Sequence, residues 1–212
     1  MIRSFKRRIS HRIASDFDYR VRSRPFAGLQ LEKAPRWGTG ESAAQCLDLY
    51  EQEIQNLLLE IQRDRPKSVL IDVGGAGGYF ALGSIKSGMF RRCVVVEANE
   101  ALRAGLDELA ALNGVRHEIE IRGFATQCEI ADAIAECGGD CVILCDIEGG
   151  EYEVFEGVHL SELRKMDVII ELNEFDDAMK SRCSSFIENG IGCLFLAEER
   201  SSRVALSLYN LK

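Results

Sequence analysis

Asp72-Val-Gly-Gly-Ala-Gly-Gly-Tyr-Phe80 decides the reading of this chain. An apolar run, Ser68-Val-Leu-Ile71, leads into it and reads as a buried strand, and a helix-like segment, Phe80 to Lys86, leads out. A strand, a glycine turn and a helix start leave unpaired backbone N–H groups aimed above the turn, which predicts a pocket for an anionic or polar ligand. A second strand, Val94-Val-Val-Glu97, ends on a carboxylate placed to accept hydrogen bonds from a ribose. Together they predict an adenosine-bearing cofactor.

On either side of this stretch, strands and helices alternate. Before it, Pro25, Gly28, Pro35, Gly38 and Gly40 make residues 25–40 irregular. Leu47, Tyr50, Ile54, Leu57, Leu58 and Ile61 recur at spacings of three and four, which predicts one long helix from Glu41 to Arg63, stopped before Pro66. After it come a helix over Tyr79–Lys86, a strand over Cys93–Glu97, a helix over Glu100–Asn113 with Gly114 past its end, and an exposed strand over Glu118–Phe124. A helix over Ile130–Glu136, a buried strand over Cys141–Cys145, a helix start at Tyr152–Phe155 and a strand over Val168–Leu172 follow. A helix over Ala178–Asn189 and two strands, Cys193–Ala197 and Val204–Tyr209, complete the order. Repeated βα units mean an α/β, doubly wound, mostly parallel sheet. The link Glu198 to Arg203 is too short for a parallel crossover, so the last two strands form an antiparallel edge hairpin. The chain divides into a basic N-terminal extension (1–40), an N-terminal helix packing on the core (41–65) and the cofactor-binding core (66–212).

Composition narrows the function. Apolar residues are 46% of the 212, enough for a sizeable core, and no run approaches the roughly 18 apolar residues of a membrane span. The N-terminus lacks the apolar stretch of a secretory signal. The eight cysteines sit mostly in apolar patterns, which predicts reduced, buried thiols and a cytoplasmic protein. Cys137, Cys141 and Cys145 lack paired C-x-x-C spacing, so no structural metal is assigned. Residues 1–24 carry eight Lys and Arg against two Asp, a net of +6, which leaves −14 for the rest of a chain of net −8. The acidic body argues against nucleic-acid binding. Ile2, Phe5, Ile9 and Ile13 would share a face of a basic N-terminal helix, which leaves peripheral membrane contact open beside a solvated arm.

The type of cofactor follows from the turn. A dinucleotide site needs G-x-G-x-x-G, but from Gly75 the pattern runs Gly75, Gly77, Phe80, and from Gly74 it meets Ala76 and Tyr79. No G-K-[ST] follows, which removes a P-loop hydrolase. Asp72, Gly74 and Gly78 instead fit D-x-G-x-x-x-G. That turn suits S-adenosylmethionine: the glycines admit the methionyl part and the acid faces its ammonium group.

Three segments then carry a resemblance: Ile71-Asp-Val-Gly-Gly-Ala-Gly-Gly-Tyr-Phe80, Val95-Val-Glu-Ala-Asn99 and Leu144-Cys-Asp-Ile-Glu-Gly-Gly-Glu-Tyr-Glu-Val-Phe-Glu-Gly157. With Ile169-Ile-Glu-Leu172 they make the chain resemble class I S-adenosylmethionine-dependent methyltransferases, and within them the FkbM-like family, whose D-x-E-G-x-E…G pattern falls on Asp146, Glu148, Gly149, Glu151 and Gly157. Ala76, where a more polar residue is frequent, and a short stretch between Phe124 and Cys141 depart from that family. The resemblance implies a seven-stranded Rossmann-like sheet of order 3-2-1-4-5-7-6. It also implies methyl transfer to a hydroxyl of a sugar, glycan or small metabolite. A protein that binds the cofactor without turnover is the alternative reading.

Cofactor-binding residues are then Asp72, Gly74, Gly75, Ala76, Gly78 and Tyr79 at the methionyl end, and Glu97, Ala98 and Asn99 at the ribose. Phe124 and Ala125 would flank the adenine, or simply pack in the core, and Asp146 would stand beside the methyl group. Asp146, Glu148, Glu151 and Glu171 are the catalytic candidates, as bases or acceptor-orienting groups, although Glu148 and Glu151 also suit a helix N-terminus. Asp146, Glu171 and Asn173 are oxygen donors of the kind Mg²⁺ takes, but a sequence shows no convergence, and no metal is assigned. Trp37 and Tyr50 are candidates for a substrate wall.

Overall fold

The computed structural model describes residues 2–36, 40–123, 127–147, 154, 166–172, 193–199 and 202–208. The N-terminal layer holds α1 (Ile2–Asp16), α2 (Ser42–Cys46) and α3 (Gln52–Asp64). Then come β1 (Val69–Val73), α4 (Tyr79–Lys86), β2 (Arg92–Val96), α5 (Glu100–Asn113), β3 (Ile119–Arg122), α6 (Gln127–Cys137), β4 (Cys141–Cys145) and β5 (Asp167–Leu172). β6 (Cys193–Glu199) and β7 (Ser202–Leu208) close the order.

Five adjacent parallel strands, in the order β3-β2-β1-β4-β5, make the body of the sheet. Its two faces follow from strand alternation. Leu70, Cys93, Val95, Val142 and Leu144 face a core shared with α3, α4 and α5, while Ile71, Val73, Val94, Val96, Ile143 and Cys145 face one shared with α6. α5 begins where the Asn99 side chain accepts from the Ala101 and Leu102 amides and ends at left-handed Gly114.

The far edge departs from the expected order. β6 lies parallel beside β5 and β7 antiparallel outside it, so the strands run 3-2-1-4-5-6-7 rather than 3-2-1-4-5-7-6. The chain between β5 and β6, residues 173–192, is long enough for a crossover to the adjacent position. The two-residue link to β7 then leaves that strand only the outer edge.

The long helix expected from Glu41 to Arg63 is also corrected. It is two helices, broken over Leu47–Glu51. Asp48 and Glu51 take left-handed backbone, with φ of +59° and +44°. An α-helix has no place for such residues, whatever the apolar spacing around them. The break turns Leu49 outward and Tyr50 and Glu51 inward. The irregular stretch before it is packed rather than loose. Val21, Phe26 and Leu29 are buried in the same core as Leu70 and Leu82.

Candidate functional site

The C-terminal ends of β1, β2 and β4 lie side by side, with Val73 paired to Val96 and to Cys145. This register brings Asp72, Glu97 and Asp146 to one cleft of about 370 Å³. Open α/β sheets bind ligands at this end, where the chain leaves the central strands in opposite directions.

The glycine turn forms the floor. Gly74 has φ of +91°, and a Cβ built there would overlap the Asp146 carbonyl oxygen, so only glycine lets β1 and β4 approach this closely. The turn is closed by Gly78 N–H donating to the Gly75 carbonyl at 2.7 Å. Ala76 holds a left-handed φ of +41° and donates its N–H to Glu97 Oε2 at 2.9 Å. Asn99 N–H donates to Glu97 Oε1 at 2.7 Å. Glu97 is thereby fixed across the cleft edge, and each oxygen keeps a lone pair for a further donor. Arg103 ties the same edge from behind, donating to the Glu97 and Ala98 carbonyls at 2.8 and 2.7 Å.

Asp72 is buried, and its carboxyl is pushed up to about 7, chiefly by desolvation and then by the negative charges of Asp146 and Glu97. A hydrogen bond from the Ala81 backbone opposes this.

The other wall comes from the N-terminal layer. Leu31, Pro35, Glu41, Gln45, Tyr50 and Glu51 line the cleft. Asp48 accepts from the Tyr79 hydroxyl at 3.3 Å, and Gln55 donates to that hydroxyl at 3.3 Å and to the Tyr50 carbonyl at 2.6 Å. Tyr79 stands edge-on to Phe26 and Tyr50. Burial holds both tyrosines well above the ordinary phenol value, so they act as neutral, shaped surfaces. Tyr79 thus lines the cleft, but its hydroxyl belongs to Asp48 and Gln55.

Glu51 is buried in this wall. One carboxylate oxygen each from Glu51, Asp146 and Glu171 lie within 4.8 Å of one another. Oxygen donors of this kind suit a hard divalent cation. Among the described residues, the cleft is lined by the carboxylates of Glu32, Glu41, Glu51, Asp72, Glu97 and Asp146 and by no Lys, Arg or His.

The structure therefore brings together Asp72, Gly74, Gly75, Ala76, Tyr79, Glu97, Ala98, Asn99 and Asp146. Gly78 starts α4 at the back of the turn, and Glu171 joins through the trio. Tyr50 lines the cleft. Phe124, Ala125, Glu148, Glu151, Asn173 and Trp37 lie outside the described residues. Glu51, Glu41 and Gln45 escaped the sequence reading, because the break between α2 and α3 that aims them was hidden in an unbroken helical spacing. The polar pair Asp48 and Glu51 within that spacing was the one available sign.

No family model matches the chain, and no curated protein matches it. Solved structures do. A precorrin-6y C5,15-methyltransferase from Geobacter metallireducens matches at 12% identity over 76% of this chain and 85% of its own, with a TM-score of 0.46. An RNA methyltransferase from Salinibacter ruber, solved with S-adenosyl-L-homocysteine, matches at 17% over 71% and 80%, with a TM-score of 0.38. An O-methyltransferase from Bacillus cereus matches at 16% over 69% of this chain and 56% of its own, with a TM-score of 0.35.

Proposed function

We propose that the chain is an S-adenosylmethionine-dependent methyltransferase of the FkbM-like kind, acting on a hydroxyl of a sugar, glycan or small metabolite. One observation carries the reading: the glycine turn opens into a cleft whose described lining bears six carboxylates and no cation. A lining this rich in acidic side chains suits a cationic adenosine cofactor better than a pyrophosphate or triphosphate. Gly74 keeps the floor of the cradle in place, since only glycine leaves room there for the Asp146 main chain. When bound, the cofactor supplies an electrophilic methyl group on a positively charged sulfur.

Each residue then has a physical task. Asp72 and the turn Gly74–Gly78 hold the methionyl end, and Asp72 gives up its proton when a cation settles beside it. Glu97 offers its remaining lone pairs to the ribose hydroxyls, with Ala98 and Asn99 along the same edge. Phe124 and Ala125 are assigned to the adenine. Asp146 orients the acceptor hydroxyl and draws off its proton, with Glu171, Glu148 and Glu151 as the alternative bases. Tyr50 and the apolar part of the N-terminal wall exclude water. No metal is assigned.

Calorimetric titration with S-adenosylmethionine and S-adenosylhomocysteine, followed by a screen of hydroxylated acceptors, tests the proposal. Binding with product formation that Asp146→Ala abolishes, cofactor affinity intact, supports it. Binding without product from any acceptor leaves a cofactor-binding protein with no turnover. Absence of binding by the folded chain removes both.

A further inference from the structure

We propose that α1 is a membrane-surface helix, resting on the protein through one face and laying its apolar, basic face on an anionic lipid surface. The inference is independent of the cleft and of any methyl transfer. Ser10 and Ala14 form the docked face and are buried. Ser10 Oγ accepts from the Ala43 N–H at 3.0 Å, and the Ala14 carbonyl accepts from Tyr19 N–H at 2.8 Å. The helix is therefore anchored to α2 and to the chain that follows it.

The opposite face holds two large apolar side chains in solvent. Phe5 is 57% and Ile9 44% exposed, and their spacing of four stacks them on one stripe. Lys6, Arg8 and Arg12 are exposed around them, and Arg7 is exposed on the other side of the helix. At about 100° per residue, Arg8 and Arg12 border one side of the stripe and Lys6 the other. Arg12 pairs with Asp16 at 3.3 Å, and among the described residues no ion pair engages Lys6, Arg7 or Arg8. This placement is the pattern of an interfacial helix: an apolar stripe for the acyl boundary, with cations level with the headgroups.

Charge complementarity selects the occupant. The first 24 residues carry +6 against −14 for the remainder, so a basic arm stands beside an acidic body. An anionic bilayer offers both a negative surface for the cations and an apolar layer for Phe5 and Ile9. Nucleic acid offers the charge but no apolar layer. Spanning is a different matter, since no helix among the described residues is long and apolar enough to cross a membrane.

Co-sedimentation of the full chain with vesicles tests this. Vesicles with about a third phosphatidylglycerol in phosphatidylcholine should take up the protein at least about tenfold more strongly than pure phosphatidylcholine at ~0.1 M salt. The double variant Phe5→Asp, Ile9→Asp should lose at least about tenfold of that uptake. Both positions are exposed, so its circular dichroism should match the parent. Equal uptake by both vesicle types, uptake by neither, or uptake that the double variant retains would overturn the proposal. So would tight binding of a duplex oligonucleotide by a chain that ignores the anionic vesicles.

Discussion

The two walls of the cleft are built by different means. The glycine-turn wall is main chain and strand ends, locked by register: Gly74 fits under the Asp146 carbonyl, and Glu97 is held by two backbone amides. The N-terminal wall is side chains laid on the sheet from outside, through Phe26 and the Tyr79–Asp48–Gln55 bonds. A wall made of backbone has no freedom to yield, while a wall of packed side chains can shift or be remodelled. The difference fits one wall seating a fixed cofactor and the other adapting to an acceptor.

The largest expected effect falls on the rigid wall. Gly74→Val places a branched side chain against backbone at a left-handed φ of +91°. Strain and overlap together should cost about 4–6 kcal/mol and abolish cofactor binding, as urea unfolding and calorimetry would record. If the variant keeps its stability, the backbone wall is looser than described.

Next comes Asp72, whose carboxyl is raised from 3.8 to about 7. The folded state therefore keeps a proton that the unfolded chain loses. Its contribution is fully present below pH about 4 and is lost as pH rises to about 7, on the order of 4 kcal/mol. Asp72→Asn should flatten that slope. In the parent, affinity for a cationic cofactor should rise with pH across the same window, with proton release seen by titration in buffers of different ionisation enthalpy.

The adaptable wall should respond less. Gly83 sits with a built Cβ 2.5 Å from Cγ of the fully buried Phe26, whose ring must shift to make room, so Gly83→Ala should cost about 1–3 kcal/mol and leave cofactor affinity within about threefold. An equal loss of binding would mean that the two walls are one unit. The smallest effect is a gain: Ala76→Gly relieves a left-handed φ of +41° and should stabilise by about 0.5–1 kcal/mol in the same unfolding assay.

The contrast between walls also explains what the sequence disclosed. The glycine turn, Glu97 and Asp146 were legible because strand ends in adjacent βα units must converge, and α4 and α5 match their expected bounds because Gly78, Asn99 and Gly114 cap them. Glu51 was not legible. Its aim depends on two left-handed residues inside an apolar spacing that a straight helix would also satisfy. The order of β6 and β7 was hidden for a similar reason, since a short polar link dictates a hairpin but not which strand lies beside β5.

Titration calorimetry comparing S-adenosylmethionine with ATP at neutral pH addresses the central claim most directly. An acid-lined glycine cleft should bind the sulfonium cofactor and hold ATP at least about a hundredfold more weakly, with Asp72→Ala losing about tenfold or more for the sulfonium. No heat with S-adenosylmethionine from a folded protein, or tighter binding of ATP, would contradict the account.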